Sequence, residues 1–171
     1  RRIAFRNVPS YVVALDETTS IAACGEVTYD LAFGGAYYAY CDVTELGISL
    51  ETSSERDLIE LGRSLKSVIS KEVSFEHPTE ADLGFLYGVI LSDEPQGDGD
   101  IRNVCIFADG EIDRSPTGTG VSGLLAIQHA REKISLSEEF VVESIVGSTF
   151  TGRITKTVDF NGQDAVIPEI E

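Results

Sequence analysis

The chain has 171 residues, and 42% of them are hydrophobic, which is enough for a buried core and too apolar for a disordered segment. Thirteen Lys and Arg against 29 Asp and Glu leave a formal charge of −16, so phosphate backbones and anionic membrane surfaces repel it, and neither nucleic acid nor membrane is an expected partner. No apolar run approaches the roughly 20 residues that span a bilayer, and the length fits one domain or two small ones.

The chain opens on Arg1-Arg2 with no apolar segment behind them, and it contains no Met. It therefore reads as a piece of a longer or processed protein rather than a secreted precursor. Cys24, Cys41 and Cys105 are odd in number and widely spaced, with no Cys-x-x-Cys pair. They predict buried free thiols in a reducing, cytoplasmic setting, not a disulfide framework or a zinc site.

In chain order, Arg2–Arg6 reads as a strand and Asn7–Ser10 as a turn. Tyr11–Leu15 is a continuous β-rich run, as a strand buried on both faces would be. Gly25–Phe33 and Ala36–Cys41 flank Gly34-Gly35, a hairpin signal. Ser53 and Ser54 suit a helix cap, and Glu55 and Asp57 suit its positive first turn. Leu58, Leu61, Leu65, Val68 and Ile69 then recur at helical spacing, predicting an amphipathic helix that ends near Lys71. Leu83–Leu91 returns to strand composition, and Ser92–Asp100 reads as an exposed acidic loop. Val104–Phe107 is a short apolar strand, and Val121–Glu132 reads as a buried helix. Glu139–Ile145, Ser148–Val158 and Asp164–Ile170 read as further strands. With no internal repeat and no linker, the expected class is α+β, one domain over 1–171, with mostly antiparallel pairing.

The segment Asp113-Arg114-Ser115-Pro116-Thr117-Gly118-Thr119-Gly120 carries the most chemistry. A strand runs into a Gly-rich turn that opens a helix, and the free N–H groups and positive end of that helix suit a carboxylate or phosphate. The ordinary role of such a segment is a turn with a Thr cap, and taken alone the Gly/Thr pattern favours that role. It lacks the Gly-Lys-Ser/Thr of a P-loop and the strand–helix–strand setting of a dinucleotide site. His77, before Pro78, reads as an exposed turn residue, and His129 as a packing histidine. Asp98 and Asp100 lack the remaining ligands of a calcium loop, so no metal site is expected.

This octapeptide resembles the Asp-Arg-Ser-Pro-Cys-Gly-Thr-Gly signature of the proline racemase family. Asn7–Tyr11, Asp30–Ala39 and Glu143–Arg153 resemble further family segments in the expected order, so the likeness spans nearly the whole chain. It implies one domain of a two-domain fold similar to diaminopimelate epimerase, with a mostly antiparallel sheet wrapped around a central helix in each half. The family's racemases place one cysteine at the N-terminus of each central helix, and the two thiols serve opposite faces of the substrate α-carbon. Here Thr117 stands at the second of those positions. An alcohol is too weak an acid to exchange a proton as a thiol does, so two-base racemisation is expected to fail. The Thr form resembles the trans-3-hydroxy-L-proline dehydratases of the family, in which one base suffices. Leu83–Gly88 and Asn103–Asp109 also look closer to that branch.

The family's Met-Cys-Gly-His motif is missing, since Cys24-Gly25 is followed by Glu26. The chain thus resembles the second, C-terminal-side domain of a longer enzyme, inactive alone, with the missing N-terminal domain as its partner and a homodimer as a further expectation. The resemblance implies a catalytic position at Thr117, carboxylate binding by Gly118 and Thr119, a ring-ammonium partner in Asp113 and an aromatic wall in Phe107. The implied ligand is hydroxyproline or proline, with neither metal nor organic cofactor. The implied reaction is a lyase reaction giving Δ1-pyrroline-2-carboxylate. The alternatives are a proline racemase or hydroxyproline epimerase relative, or a non-catalytic amino-acid-binding domain.

Overall fold

In the computed structural model, which describes residues 3–171, a ten-stranded sheet closes on itself around a helix. The strands are β1 (Phe5–Arg6), β2 (Ser10–Ile21), β3 (Gly25–Phe33), β4 (Tyr37–Asp42), β5 (Leu86–Asp93), β6 (Ile101–Phe107), β7 (Glu111–Asp113), β8 (Phe140–Ser144), β9 (Thr149–Phe160) and β10 (Gln163–Ile170). Arg2, placed in the first strand by the sequence, lies outside the described residues. Hydrogen bonding runs β10-β2-β3-β4-β5-β6-β8-β9, and β9 pairs with β10, closing an eight-stranded barrel. The β4–β5 and β6–β8 pairs are parallel, and the other pairings are antiparallel. A parallel pair needs a crossover. The helix α1 (Glu55–Glu72) lies in the first crossover, and the helix α2 (Gly118–Ala130) lies in the second. The class is α+β with a central helix, as expected.

Composition decides which face each helix takes. Helix α1 is amphipathic, and Leu58, Leu61, Leu65 and Ile69 are buried against Val89, Leu91, Val104 and Ile106 on the outside of the barrel. Each fully buried side chain of this kind contributes about 1.5–3 kcal/mol. Ser54 caps the helix by accepting from the Asp57 N–H at 3.2 Å. Helix α2 has no polar stripe, and the residues from Gly120 to Ile127 are all buried inside the barrel. Its Val121, Leu124, Leu125 and Ile127 pack on Tyr38, Tyr40, Ile90, Cys105, Val142 and Ile154. Strand β4 therefore has no solvent face: Tyr37, Ala39 and Cys41 point to the outer core, and Tyr38 and Tyr40 to the inner one.

Several boundaries differ from the sequence reading. Strand β2 runs on from Leu15 to Ile21, because the polar Asp16–Ser20 stretch keeps its pairing with β3 through two register shifts. Helix α2 begins at Gly118 rather than Val121 and ends at Ala130, short of Glu132, whose φ is 57°. Strand β6 begins at Ile101 and carries the buried Arg102 and Asn103. His77 is half-buried rather than exposed, with its ring 4.7 Å from Phe33. Cys41 and Cys105 are buried free thiols, and Cys24 is half-buried. Among the described residues, no helix is long and apolar enough to cross a membrane.

Candidate functional site

Strand β7 pairs with β6 so that Asp113 lies opposite Cys105. The chain then turns through Arg114–Thr117 and enters α2. The Asp113 carboxylate organises this turn: one oxygen accepts from the Ser115 N–H at 2.8 Å, the other from the Thr117 hydroxyl at 2.9 Å. Ser115 Oγ accepts from the Thr117 N–H at 3.1 Å, and Asn103 Nδ2 donates to the Pro116 carbonyl at 3.2 Å. Held in this way, Thr117 has φ 64° and ψ 93°, in the left-handed half of φ space that a β-branched residue avoids. Strain of this kind persists only where the surroundings over-determine it, and it clusters at functional sites.

Thr117 is the N-cap residue of α2, yet its hydroxyl is turned to Asp113, and no side chain caps the helix. The first-turn N–H groups, which a helix cannot satisfy itself, are left for a ligand, reinforced by the helix dipole. Two tyrosines of β4 hold this turn in place. The Tyr38 hydroxyl is 2.7 Å from Thr119 Oγ1, and the Tyr40 hydroxyl donates to the Gly120 carbonyl at 2.8 Å.

In front of the turn lies an open cavity of about 400 Å³, lined by Asp113, Ser115, Thr117, Gly118 and Thr119. Its other walls are Phe5, Tyr38, Tyr87, Phe107, Phe150 and Cys105. Phe107 stacks on Tyr87 with ring centroids 5.5 Å apart and planes at 8°. Burial, then the nearby Asp113 charge, pushes the Cys105 thiol up to about 12. Burial likewise raises the Tyr38 phenol above its ordinary range. The arrangement joins an anion-binding helix end, a carboxylate and aromatic walls, which suits a small zwitterion with an apolar ring.

The structure thus brings Phe107, Asp113, Thr117, Gly118 and Thr119 into one cavity. The sequence reading did not single out Tyr38, Tyr87, Cys105, Phe5 or Phe150 for this site. Strand alternation held part of the signal: Cys105 shares a face with Phe107, and Tyr38 with Tyr40. A larger groove of about 950 Å³ lies at the far end of α2, lined by Val12, His129, Glu132 and Asp159 among others. His129 is half-buried there, with Nδ1 3.2 Å from the Ile134 carbonyl.

Comparison with known proteins places the chain in a family. The family model described as proline racemase matches residues 1–171. A trans-3-hydroxy-L-proline dehydratase of Colwellia psychrerythraea is 48% identical over 171 residues, covering 99% of this chain and 48% of that protein. A proline racemase of Clostridioides difficile is 36% identical over 174 residues, covering 99% of this chain and 51% of that protein. Among solved structures, a hydroxyproline epimerase from Agrobacterium vitis with bound trans-4-hydroxy-L-proline superposes with a TM-score of 0.92 at 37% identity, covering 98% of this chain and 48% of that one. The chain spans about half the length of the curated relatives it matches. A family match over every residue, on a barrel whose central helix starts at the signature turn, establishes that this chain belongs to the proline racemase family.

Proposed function

We propose that this chain is the second, C-terminal-side domain of a trans-3-hydroxy-L-proline dehydratase, active only with the domain that completes the cleft. The observation that carries the reading is Thr117 at the mouth of α2, its hydroxyl donated to Asp113 where a racemase needs a thiol. The 48% identity to a named dehydratase supports it. Cys105 lines the same cavity, but burial and the nearby Asp113 charge push its thiol up, which disfavours the thiolate that a base needs.

In this reading the carboxylate of the imino acid sits on the N–H groups of Gly118 and Thr119. Asp113 faces the ring ammonium, Thr117 lies beside the reacting carbons, and Phe107 with Tyr87 walls the ring. A base on the complementary domain removes the α-proton. The electron pair forms the Cα–Cβ double bond as the C3–O bond breaks, the hydroxyl leaves as water on taking up the proton that the base removed, and the enamine tautomerises to Δ1-pyrroline-2-carboxylate. The second reading, an epimerase or racemase, draws on the Agrobacterium vitis and Clostridioides difficile relatives.

The test incubates the intact protein with trans-3-hydroxy-L-proline and, separately, L-proline in deuterated water, followed by NMR. Δ1-Pyrroline-2-carboxylate without D-proline supports the dehydratase. Deuterated D-proline overturns it in favour of the racemase, and no change in either sample favours a binding domain without catalysis.

A further inference from the structure

Asn103 is buried, polar and without a part in the chemistry above. It shares one face of β6 with Cys105 and Phe107, and it is 1% exposed. Its Nδ2 donates to the Pro116 carbonyl at 3.2 Å, whereas its Oδ1, also buried, finds no hydrogen-bond partner among the described residues. Leaving a buried polar atom unpaired costs at least as much as one ordinary hydrogen bond returns. For stability alone, an apolar side chain of the same size would serve as well or better. A group that breaks this rule in a core calls for a functional reason.

The peptide unit between Pro116 and Thr117 supplies that reason. It is gripped on both sides, its carbonyl by Asn103 and its N–H by Ser115 Oγ at 3.1 Å. The orientation of this plane sets the Thr117 φ of 64°. Flipping the plane would return Thr117 to the negative φ that a β-branched residue prefers, so the strain pulls towards the flip. The flip would also turn the Pro116 carbonyl towards Ser115, which lines the cavity, in place of the N–H held there now. A carbonyl oxygen on that side repels a carboxylate, whereas an N–H attracts it. We propose that Asn103 is a positioning residue whose bond to Pro116 locks this peptide in its strained orientation and keeps a carbonyl oxygen out of the anion-binding end of the cavity. The inference rests on the imino-acid reading above.

The experiment compares the intact parent protein with N103L, which keeps the side-chain volume, and N103A, which tests the same bond should N103L not fold. Three quantities are measured: the melting temperature, kcat and KM on whichever of trans-3-hydroxy-L-proline and L-proline the parent converts, and the Thr117 Cα and Cβ chemical shifts, which report its φ. The expected result for N103L is a melting temperature at or above the parent's, a KM raised about tenfold with kcat much less altered, and Thr117 shifts moved towards those of extended backbone. N103A should show the same rise in KM and the same change in shifts. Parental KM and Thr117 shifts in a folded variant overturn the proposal. So does a lower melting temperature with KM and shifts unchanged, which makes Asn103 a core residue only. A raised KM with parental Thr117 shifts overturns the lock as well. A parent that converts neither substrate defeats the imino-acid reading, and the Thr117 shifts then decide the lock on their own.

Discussion

Asp113 performs two tasks that one substitution separates. Its oxygens hold the turn through Ser115 and Thr117, and its charge faces the cavity. An amide at this position keeps an acceptor for the Ser115 N–H and has a donor for the Thr117 oxygen. Asp113→Asn should therefore fold with a melting temperature near the parent's, yet lose on the order of 100-fold in affinity for a cationic imino acid. Parallel calorimetry and thermal melts of the intact protein check this, and a wholesale loss of folding would make Asp113 a turn residue only. The thiols carry a second residue-scale expectation. Burial raises Cys41 and Cys105 from 9.0 to about 12. In the unfolded chain they ionise at their ordinary values, so the stability linked to their protonated folded state is complete below pH 9 and drains away as pH rises towards 12. The buried tyrosines add to the loss only above pH 10. Urea unfolding between about pH 8 and pH 10 should show stability falling, with a flatter slope in the C41A/C105A variant.

At the scale of elements, the two helices differ in how much of them the sequence shows. Helix α1 stands out because its apolar spacing, its Ser54 cap and its acidic first turn agree. Ser54→Ala should cost about 1 kcal/mol of stability, read as a shift in the urea midpoint at constant slope. Helix α2 shows only as a buried run, since a helix apolar all round has no period to find. Its true start at Gly118 was hidden because Gly, Thr and Gly read as turn formers. What makes them helical is tertiary: the Tyr38 and Tyr40 hydroxyls, 80 or more residues away in sequence, fix the first turn. The aromatic walls were equally hidden, because Phe5, Tyr87 and Phe150 meet only once the barrel has closed. By contrast, the Asp113–Gly120 motif was legible as chemistry, since its function is packed into consecutive residues. Gly34 shows how closely the sheet approaches the turn. A Cβ there would overlap the Thr119 carbonyl oxygen and the Gly123 amide nitrogen, both backbone atoms that cannot swing aside. Gly34→Ala should thus cost about 1–3 kcal/mol and also weaken ligand binding by displacing the N-terminus of α2, whereas Ser54→Ala leaves binding untouched. Calorimetry on the two variants separates these outcomes.

For the whole molecule, two opposed forces act on the face that carries the cavity. The Phe5 and Phe85 side chains are 48% and 51% exposed, Phe5 on the cavity wall and Phe85 with its ring 6.4 Å from that of Tyr87. Apolar rings grouped at a cleft mouth favour burial against another surface. The formal charge of −16 opposes the approach of a second copy. Burial is insensitive to modest salt, whereas repulsion between exposed charges is screened within about 8–10 Å at physiological ionic strength. The 171-residue chain on its own should therefore stay monomeric at low salt and self-associate as salt rises, the reverse of an assembly held by ion pairs. Sedimentation velocity across a salt series measures this directly. A Phe5→Ser/Phe85→Ser variant should remain monomeric throughout, because the attraction is lost and the charge is not. If the parent chain instead dissociates as salt rises, complementary charges rather than this aromatic face hold the copies together.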